Sequence, residues 1–277
     1  MGDRSGGEWG ELLMANYLAT DTDLAAVANA IRTKGGTSAG LTFPSGFVDA
    51  IGDISGGGGI NLFRYANNCM SFLQGASGLP ETFVVDFTDN TAASTLESFF
   101  LNTSGIKSLT IKNLVSSKTN MSMKAIVYNC SDLETLTFEN CTVAPNSLES
   151  FGRGCTKLKA IYGEIDCTNC TSNNSLSYWF ANNATKIETF RIKPNTIKIS
   201  PGSNLGLSEV WEDATYISLA NGLDGSVSSK TLTLSTFQKN AMQAIMGTND
   251  NGTFVADAQG TLSVSAFITT VKGWALA

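Results

Sequence analysis

The amino-acid sequence predicts an α+β solenoid: short strands stacked into a parallel β ladder, a small helical module before them and a mixed α/β cap after them. Three observations carry this reading. The stretch "MKAIVYNCSDLETLTFENC" (Met123–Cys141) is followed at once by "LESFGRGCTKLKAIYGEID" (Leu148–Asp166), and apolar residues at Leu96, Met123, Leu148 and Leu176 open four such copies at spacings of 27, 25 and 28. The Gly-rich "SGGGG" (Ser55–Gly59) separates the repeats from an N-terminal segment with two helix signatures. The repeats stop near Leu205, and a non-repeating tail follows. The expected organisation is a helical anchor at 1–54, a linker at 55–59, a solenoid at 60–204 and a cap at 205–277.

In the first segment Thr20 and Asp23 match a capping box, after which Leu24, Val27, Ala28 and Ile31 share one helical face. Gly35 and Gly36 end that helix, and Pro44 opens a second one that turns Phe47, Val48 and Ile51 inward. "SGGGG" has no side chains to pack and reads as a hinge. It lacks the Gly-Lys-Ser/Thr that a phosphate loop requires.

Within each repeat a second apolar residue falls ten or eleven positions after the first (Ile106, Leu133, Leu158, Ile187). A third follows three later (Leu109, Leu136, Ile161, Phe190). Two further on come Ile111, Phe138, Gly163 and Ile192, so only the third copy loses its apolar group there. A degenerate earlier copy is expected in "FRYANNCMSFLQGASGLPETFVVDF". "LETLTFENC" fits L-x-x-L-x-F-x-x-N-C, the leucine-rich-repeat strand signature, with Leu136 and Phe138 inward and Thr135, Thr137 and Glu139 outward. A single unit of this kind cannot bury its apolar side, whereas stacked units share a continuous core. The segment before each strand is predicted to form a helical turn on the opposite side. In the tail, "KTLTLS" reads as a strand, Phe237, Ala241 and Ile245 share a helical face, and "LSVSAFITTVKGWALA" supplies a last helix and a terminal strand. Such a segment is the expected cover for an open solenoid end.

Composition narrows the function. Lys and Arg total 18 against 24 Asp and Glu, a formal charge of −6, and no basic run occurs, which argues against nucleic-acid binding. Histidine is absent. That removes imidazole-based nucleophile systems and most catalytic zinc sites, and leaves carboxylate-only catalysis. The start has no basic n-region or apolar run of signal-peptide length, and no stretch reaches the ~18 apolar residues of a membrane helix. A protein made soluble, without classical secretion or membrane insertion, is expected.

Six cysteines occur: Cys69, Cys130, Cys141, Cys155, Cys167 and Cys170. Cys130 and Cys155 share a repeat offset with Thr103 and Asn183, which marks them as small buried solenoid residues. "CTNC" (Cys167–Cys170) has metal-ligand spacing but lacks a second pair, so neither metal nor cofactor is expected. Whether that pair forms a disulfide is open from sequence.

The exposed strand positions form three rows across the coils: Ser108, Thr135, Ala160, Thr189; then Thr110, Thr137, Tyr162, Arg191; then Lys112, Glu139, Glu164, Lys193. The second and third rows are the candidate ligand-binding face, because solenoids commonly bind through this surface and Tyr and Arg are favoured at interaction hot spots. A merely solvated sheet face competes with that reading. Glu139 and Glu164 are the carboxylate pair that a glycosidase would need, but a flat ladder excludes little water, so no catalytic residue is assigned.

The repeat units resemble the BspA-like leucine-rich repeats of bacterial surface proteins, with units of the form M-x-x-x-F-x-x-C-x-x-L-x-x-L. Tyr128 and Arg153 occupy one family position before Asn-Cys and Gly-Cys, while Gly163 and the Ala184 insertion depart from the pattern. The N-terminal "TDTDLAAVANAIRTKGGTSAGLTFPSGFVDAIGDI" resembles a module of tail-associated proteins of phages infecting Firmicutes, and the ending "TLTLS…TVKGWALA" resembles the close of repeat proteins encoded among tail genes. The resemblance implies a non-enzymatic virion protein of tail-fibre or baseplate type. Its N-terminal module would bind other virion proteins, and its multicopy or homo-oligomeric solenoid would meet a host-surface glycan or protein. A bacterial surface adhesin and a purely structural spike or decoration protein are the alternatives.

Overall fold

A computed structural model of the chain describes residues 28–29, 68–88, 90, 93–115, 119–179, 187–201 and 211–277. The chain divides into two compact units, Met1–Leu62 and Phe63–Ala277. In the first, Ala28 and Asn29 are helical and Ala28 is buried. The remaining expectations for the N-terminal module, the Gly-rich linker, Asn183 and the Ala184 insertion lie outside the described residues.

The second unit is a β-solenoid. Its strands β1 (Thr82–Asp86), β2 (Ser108–Lys112), β3 (Thr135–Glu139), β4 (Ala160–Ile165) and β5 (Thr189–Ile192) form one parallel sheet in chain order. β1 is the strand of the degenerate copy. Leu109, Ile111, Leu136, Ile161, Phe190 and Ile192 point into the core, as period-2 alternation requires. The other apolar repeat positions join them: Leu96, Met123, Leu148 and Leu176, then Ile106, Leu133, Leu158 and Ile187 are all buried.

The side opposite the strands differs from the helical expectation. Residues 97–102, 124–129 and 149–154 form hydrogen-bonded turns, and among the described residues of this side only Asn173–Leu176 closes a short 3₁₀ helix. The apolar spacing of Met123, Ile126 and Val127 suits a helix, yet it suits these turns equally. Left-handed residues recur at one offset (Ser71, Ser98, Ala125, Ser150, φ between 53° and 56°) and again four positions on (Gly75, Asn102, Asn129, Gly154). With this geometry alternate N–H groups serve different partners. Those of Ser98, Phe100 and Asn102 donate to Lys124, Ile126 and Tyr128 of the next coil, whereas those of Phe99, Leu101 and Thr103 fold back to Leu96, Ser98 and Phe100. A helix would keep all of these bonds within one coil; here half of them bind coil to coil.

Side chains repeat the same logic. Thr103 Oγ1 donates to the Leu73 carbonyl, Cys130 Sγ to Phe100 and Cys155 Sγ to Val127, so this buried position takes a small side chain that can donate backwards. Lys107–Glu81, Lys112–Glu139, Lys124–Glu149, Lys157–Asp132 and Lys193–Asp166 each join one coil to its neighbour, and Lys198–Asp224 joins the last coil to the cap.

Past β5 the repeat gives way to α1 (Asp213–Gly222), which lies along the sheet edge. The Ser218 hydroxyl accepts from the Ile192 N–H and donates to the Ile192 carbonyl, covering polar groups that an edge strand would leave open. Aromatic contacts run from Phe138 through Phe151, Trp179, Phe190 and Trp211 to Tyr216 of α1, at centroid separations of 5.1–6.4 Å. Beyond it come β6 (Thr231–Leu232), α2 (Thr236–Ala244), a hairpin of β7 (Met246–Asp250) and β8 (Thr253–Ala256), and β9 (Leu262–Ser263). The short helix α3 (Val264–Ala266) runs into a π-helical turn at Phe267–Val271, and β10 (Ala275–Leu276) pairs with β6. Ser235 and Gln238 form a capping box on α2. That helix buries Gln238 and Met242 and leaves Phe237 47% exposed, so its inward face is offset from the Phe237–Ala241–Ile245 line. The hairpin turns on Asn251–Gly252, both at positive φ, a pairing that matches the twist of two-residue hairpins. No helix among the described residues is long and apolar enough to cross a membrane.

Two substitutions test the cap. Ser218→Ala should lower stability by about 1–2 kcal/mol, since it orphans the Ile192 N–H. The buried Tyr216 hydroxyl has no hydrogen-bond partner, and burial pushes its pKa up to about 12. Tyr216→Phe should therefore leave stability unchanged or raise it by about 1 kcal/mol. Urea denaturation followed by circular dichroism measures both.

Candidate ligand-binding face

Outward residues of the ladder line up because the parallel register holds from β1 to the middle of β4. Val84, Thr110, Thr137 and Tyr162 stand opposite one another in turn, as do Thr82, Ser108, Thr135, Ala160 and Thr189, although Ala160, expected to be exposed, is buried. Asp86, Lys112 and Glu139 form the third line. Apolar groups sit at both ends of the middle line: Val84 is 48% exposed and Tyr162 52%, with the half-buried threonines between them.

The register then slips. Ala160 still faces Thr189, but Arg191 faces Glu164 and Ile192 faces Ile165, so β4 bulges by two residues at Tyr162–Gly163. Arg191 is thus a neighbour of Glu164 along the ladder and not of Tyr162. The bulge also explains the missing apolar group of the third copy: Gly163 does not take that slot, and buried Ile165 lies opposite Ile192. Gly163 has φ +90°, and a Cβ there would approach the Phe138 carbonyl oxygen to 2.5 Å. Only glycine fits without the chain moving.

Charges on this face are mostly matched internally. Glu139 accepts from Lys112 at 3.1 Å, and Lys193 reaches Asp166 at 2.7 Å, away from the line it was predicted to share with Glu164. Asp86 accepts from Thr88 and from Asn113. Partial burial raises the Asp86 and Asp166 carboxyls. Hydrogen bonds from Thr88 and Asn113 on Asp86, and from Lys193 and Thr168 on Asp166, outweigh it and hold both below the ordinary value. Among the described residues Arg191 makes no ion pair. The candidate face thus divides into a neutral hydroxyl and apolar line, Val84–Thr110–Thr137–Tyr162, an internally matched pair, Lys112–Glu139, and a Glu164–Arg191 step beyond the bulge.

Val84 is absent from the rows read in the sequence. Its strand, "TFVVD", has three consecutive apolar residues, so no alternation tells which one faces out. A pocket of about 20 Å³ lies beside the bulge, lined in part by Phe138, Cys141, Pro145, Ile165 and Asp166. It has room for roughly one water. Glu139 and Glu164 do not stand opposite each other across the β3–β4 pair, since its register ends at Tyr162.

The cysteines are free thiols, and all but Cys141 are buried. Burial pushes the Cys69 thiol up to about 12. Cys155 is raised by burial and its Cys130 neighbour, and Cys167 by hydrogen bonding with Cys170 together with burial. None of these three is poised as a thiolate, the form that attacks or binds metal. Among the described residues no three Cys, Asp or Glu side chains gather as a ligand group. Comparison with protein-family models, curated proteins and solved structures found no match to this chain.

Two predictions follow from this geometry. Gly163→Ala should destabilise by about 2–4 kcal/mol through positive-φ strain and overpacking, read from the urea midpoint. For the carboxylates the folded pKa lies below the unfolded one. Their contribution is therefore full above the unfolded value of about 4 and is lost as pH falls through the folded value. Urea midpoints should be flat above about pH 5 and fall below pH 4, and Asp166→Asn should flatten part of that fall.

Proposed function

We propose that this chain is a non-enzymatic phage virion protein of tail-fibre or baseplate type, whose leucine-rich-repeat solenoid of BspA-like kind recognises a host-surface glycan or protein. The observation that carries recognition is the continuous outward line Val84–Thr110–Thr137–Tyr162. It offers hydroxyls flanked by two exposed apolar groups on a rigid ladder, with Glu164 and Arg191 as the charged step beside it. A neutral line of this chemistry suits sugar or peptide faces, where an aromatic plane stacks and hydroxyls select. The phage assignment rests on the N-terminal stretch at 20–54 and on the tail-gene resemblance of the C-terminal segment. On this reading the N-terminal module anchors the chain to other virion proteins, and many displayed copies turn weak contacts into avidity.

The test is flow cytometry of labelled protein, displayed as an oligomer, on a panel of Firmicutes strains, beside a Val84→Ser/Tyr162→Ala double variant. Strain-selective binding that falls about tenfold or more in the variant is expected, the loss of one aromatic hot spot being of that order. Binding that survives would move the contact off this face. Absence of binding across a panel that includes the phage's own host would favour a purely structural spike or decoration protein.

A further inference from the structure

The turn side of the solenoid carries a second feature, independent of the ladder face. Tyr128 and Arg153 occupy the same offset in successive coils, and Tyr178 stands in the next coil at the offset of Ala125 and Ser150; the Asn129 N–H donates to the Arg153 carbonyl, and the Gly152 N–H to that of Trp179. The Arg153 guanidinium carbon lies 5.7 Å from the Tyr128 ring centroid and 5.3 Å from that of Tyr178. Because those rings belong to the coils before and after, the cation is held between two aromatic groups. Both distances are within cation–π range.

Three further observations set this arginine apart. Lys107, Lys112, Lys124, Lys157 and Lys193 are each paired with a carboxylate of an adjacent coil, whereas Arg153 makes no ion pair among the described residues. Its Nε is shut away from water and has no hydrogen-bond partner, so the protein's own hydrogen bonds do not account for its position. Tyr178, at the repeat position where Ser98, Ala125 and Ser150 are also left-handed, stands 45% exposed, so the site opens to solvent. Ring stacking engages the faces of a guanidinium and leaves its terminal N–H groups free to form a fork. A planar fork held in one orientation is the donor geometry that matches a phosphate or carboxylate bidentately, with little ordering left to occur on binding.

We propose that Tyr128, Arg153 and Tyr178 form an oxyanion-binding site on the turn side of the solenoid, taking a phosphodiester or carboxylate group of an acidic polymer. The tyrosines orient the guanidinium and pack against the apolar part of the ligand, and the terminal nitrogens of Arg153 bind the anion. The site stands whether or not the virion reading does, and it lies off the line through Val84 and Tyr162.

The full chain is titrated by calorimetry at low ionic strength with poly(glycerol phosphate), polygalacturonate and neutral dextran, as wild type, Arg153→Gln, Arg153→Lys and Val84→Ser/Tyr162→Ala. Wild type should bind at least one acidic polymer and not dextran; the polymer bound says whether phosphodiester or carboxylate is the ligand. Arg153→Gln should weaken binding about tenfold or more, the loss of a charge-assisted hydrogen-bond pair, and the ladder double variant should bind as wild type does. Arg153→Lys keeps the charge and loses the fork, and should also bind more weakly; it is the deciding variant if Arg153→Gln fails to fold by circular dichroism. Failure of wild type to bind either acidic polymer, or equal binding by Arg153→Lys, overturns the proposal. Loss in the ladder double variant alone overturns the placement and points back to the strand face.

Discussion

The hydrogen bonding of each coil to the next, on both sides of the solenoid, is the constraint from which most of the structure follows. On one side it is the parallel ladder; on the other it is the alternation of turn N–H groups between their own coil and the neighbour. A buried backbone donor without a partner is costly, so each coil must present its polar groups where the next can meet them. That requirement explains why left-handed residues recur at one offset, and why Ser, Asn and Gly fill most of those positions. It also explains why one buried position takes Thr or Cys: the side chain there must be small and must donate to the coil behind it.

Strict stacking makes a residue's neighbour its own counterpart one coil away. Like charges would then meet in columns. The chain avoids this by alternating sign along the stack, which is why five ion pairs among the described residues join adjacent coils. Exposed pairs of this kind contribute little stability individually, but they tie up the charges of the surface and leave its hydroxyl and aromatic lines as the distinctive chemistry. The same stacking brings Tyr128, Arg153 and Tyr178 together, although they are separated in sequence.

The bulge in β4 and the helix that closes the sheet are the two departures from repetition. The bulge separates Tyr162 from Arg191, pairs Glu164 with Arg191 and restores an apolar group, Ile165, to the core line. At the far end the aromatic chain continues from Phe190 into Trp211 and Tyr216, so the cap extends the same core, while Ser218 takes over the polar groups that a further strand would have met.

The sequence by itself determined the solenoid: the spacing of Leu96, Met123, Leu148 and Leu176 and of the residues that follow them marks inward positions, and those positions are buried apart from Phe138 and Gly163, which are half-buried. Periodicity is local, so it survives any uncertainty about partners. Three things were decided only by tertiary structure. The form of the turn side depended on whether N–H groups bond within a coil or between coils, and the spacing of Met123, Ile126 and Val127 is the same for both. The neighbours of Arg191 depended on a register slip that Gly163 permits, since only packing against the Phe138 carbonyl shows why a glycine stands there. Val84 could be placed outward only once β1 was paired with β2, because a run of apolar residues carries no alternation. The sandwich of Arg153 belongs with these: Tyr128 shares its offset but Tyr178 comes from another, and whether a cation is held between rings or reaches a carboxylate is settled by the distances between coils. The Asn251–Gly252 hairpin is the opposite case, a turn legible in two residues because both must take positive φ.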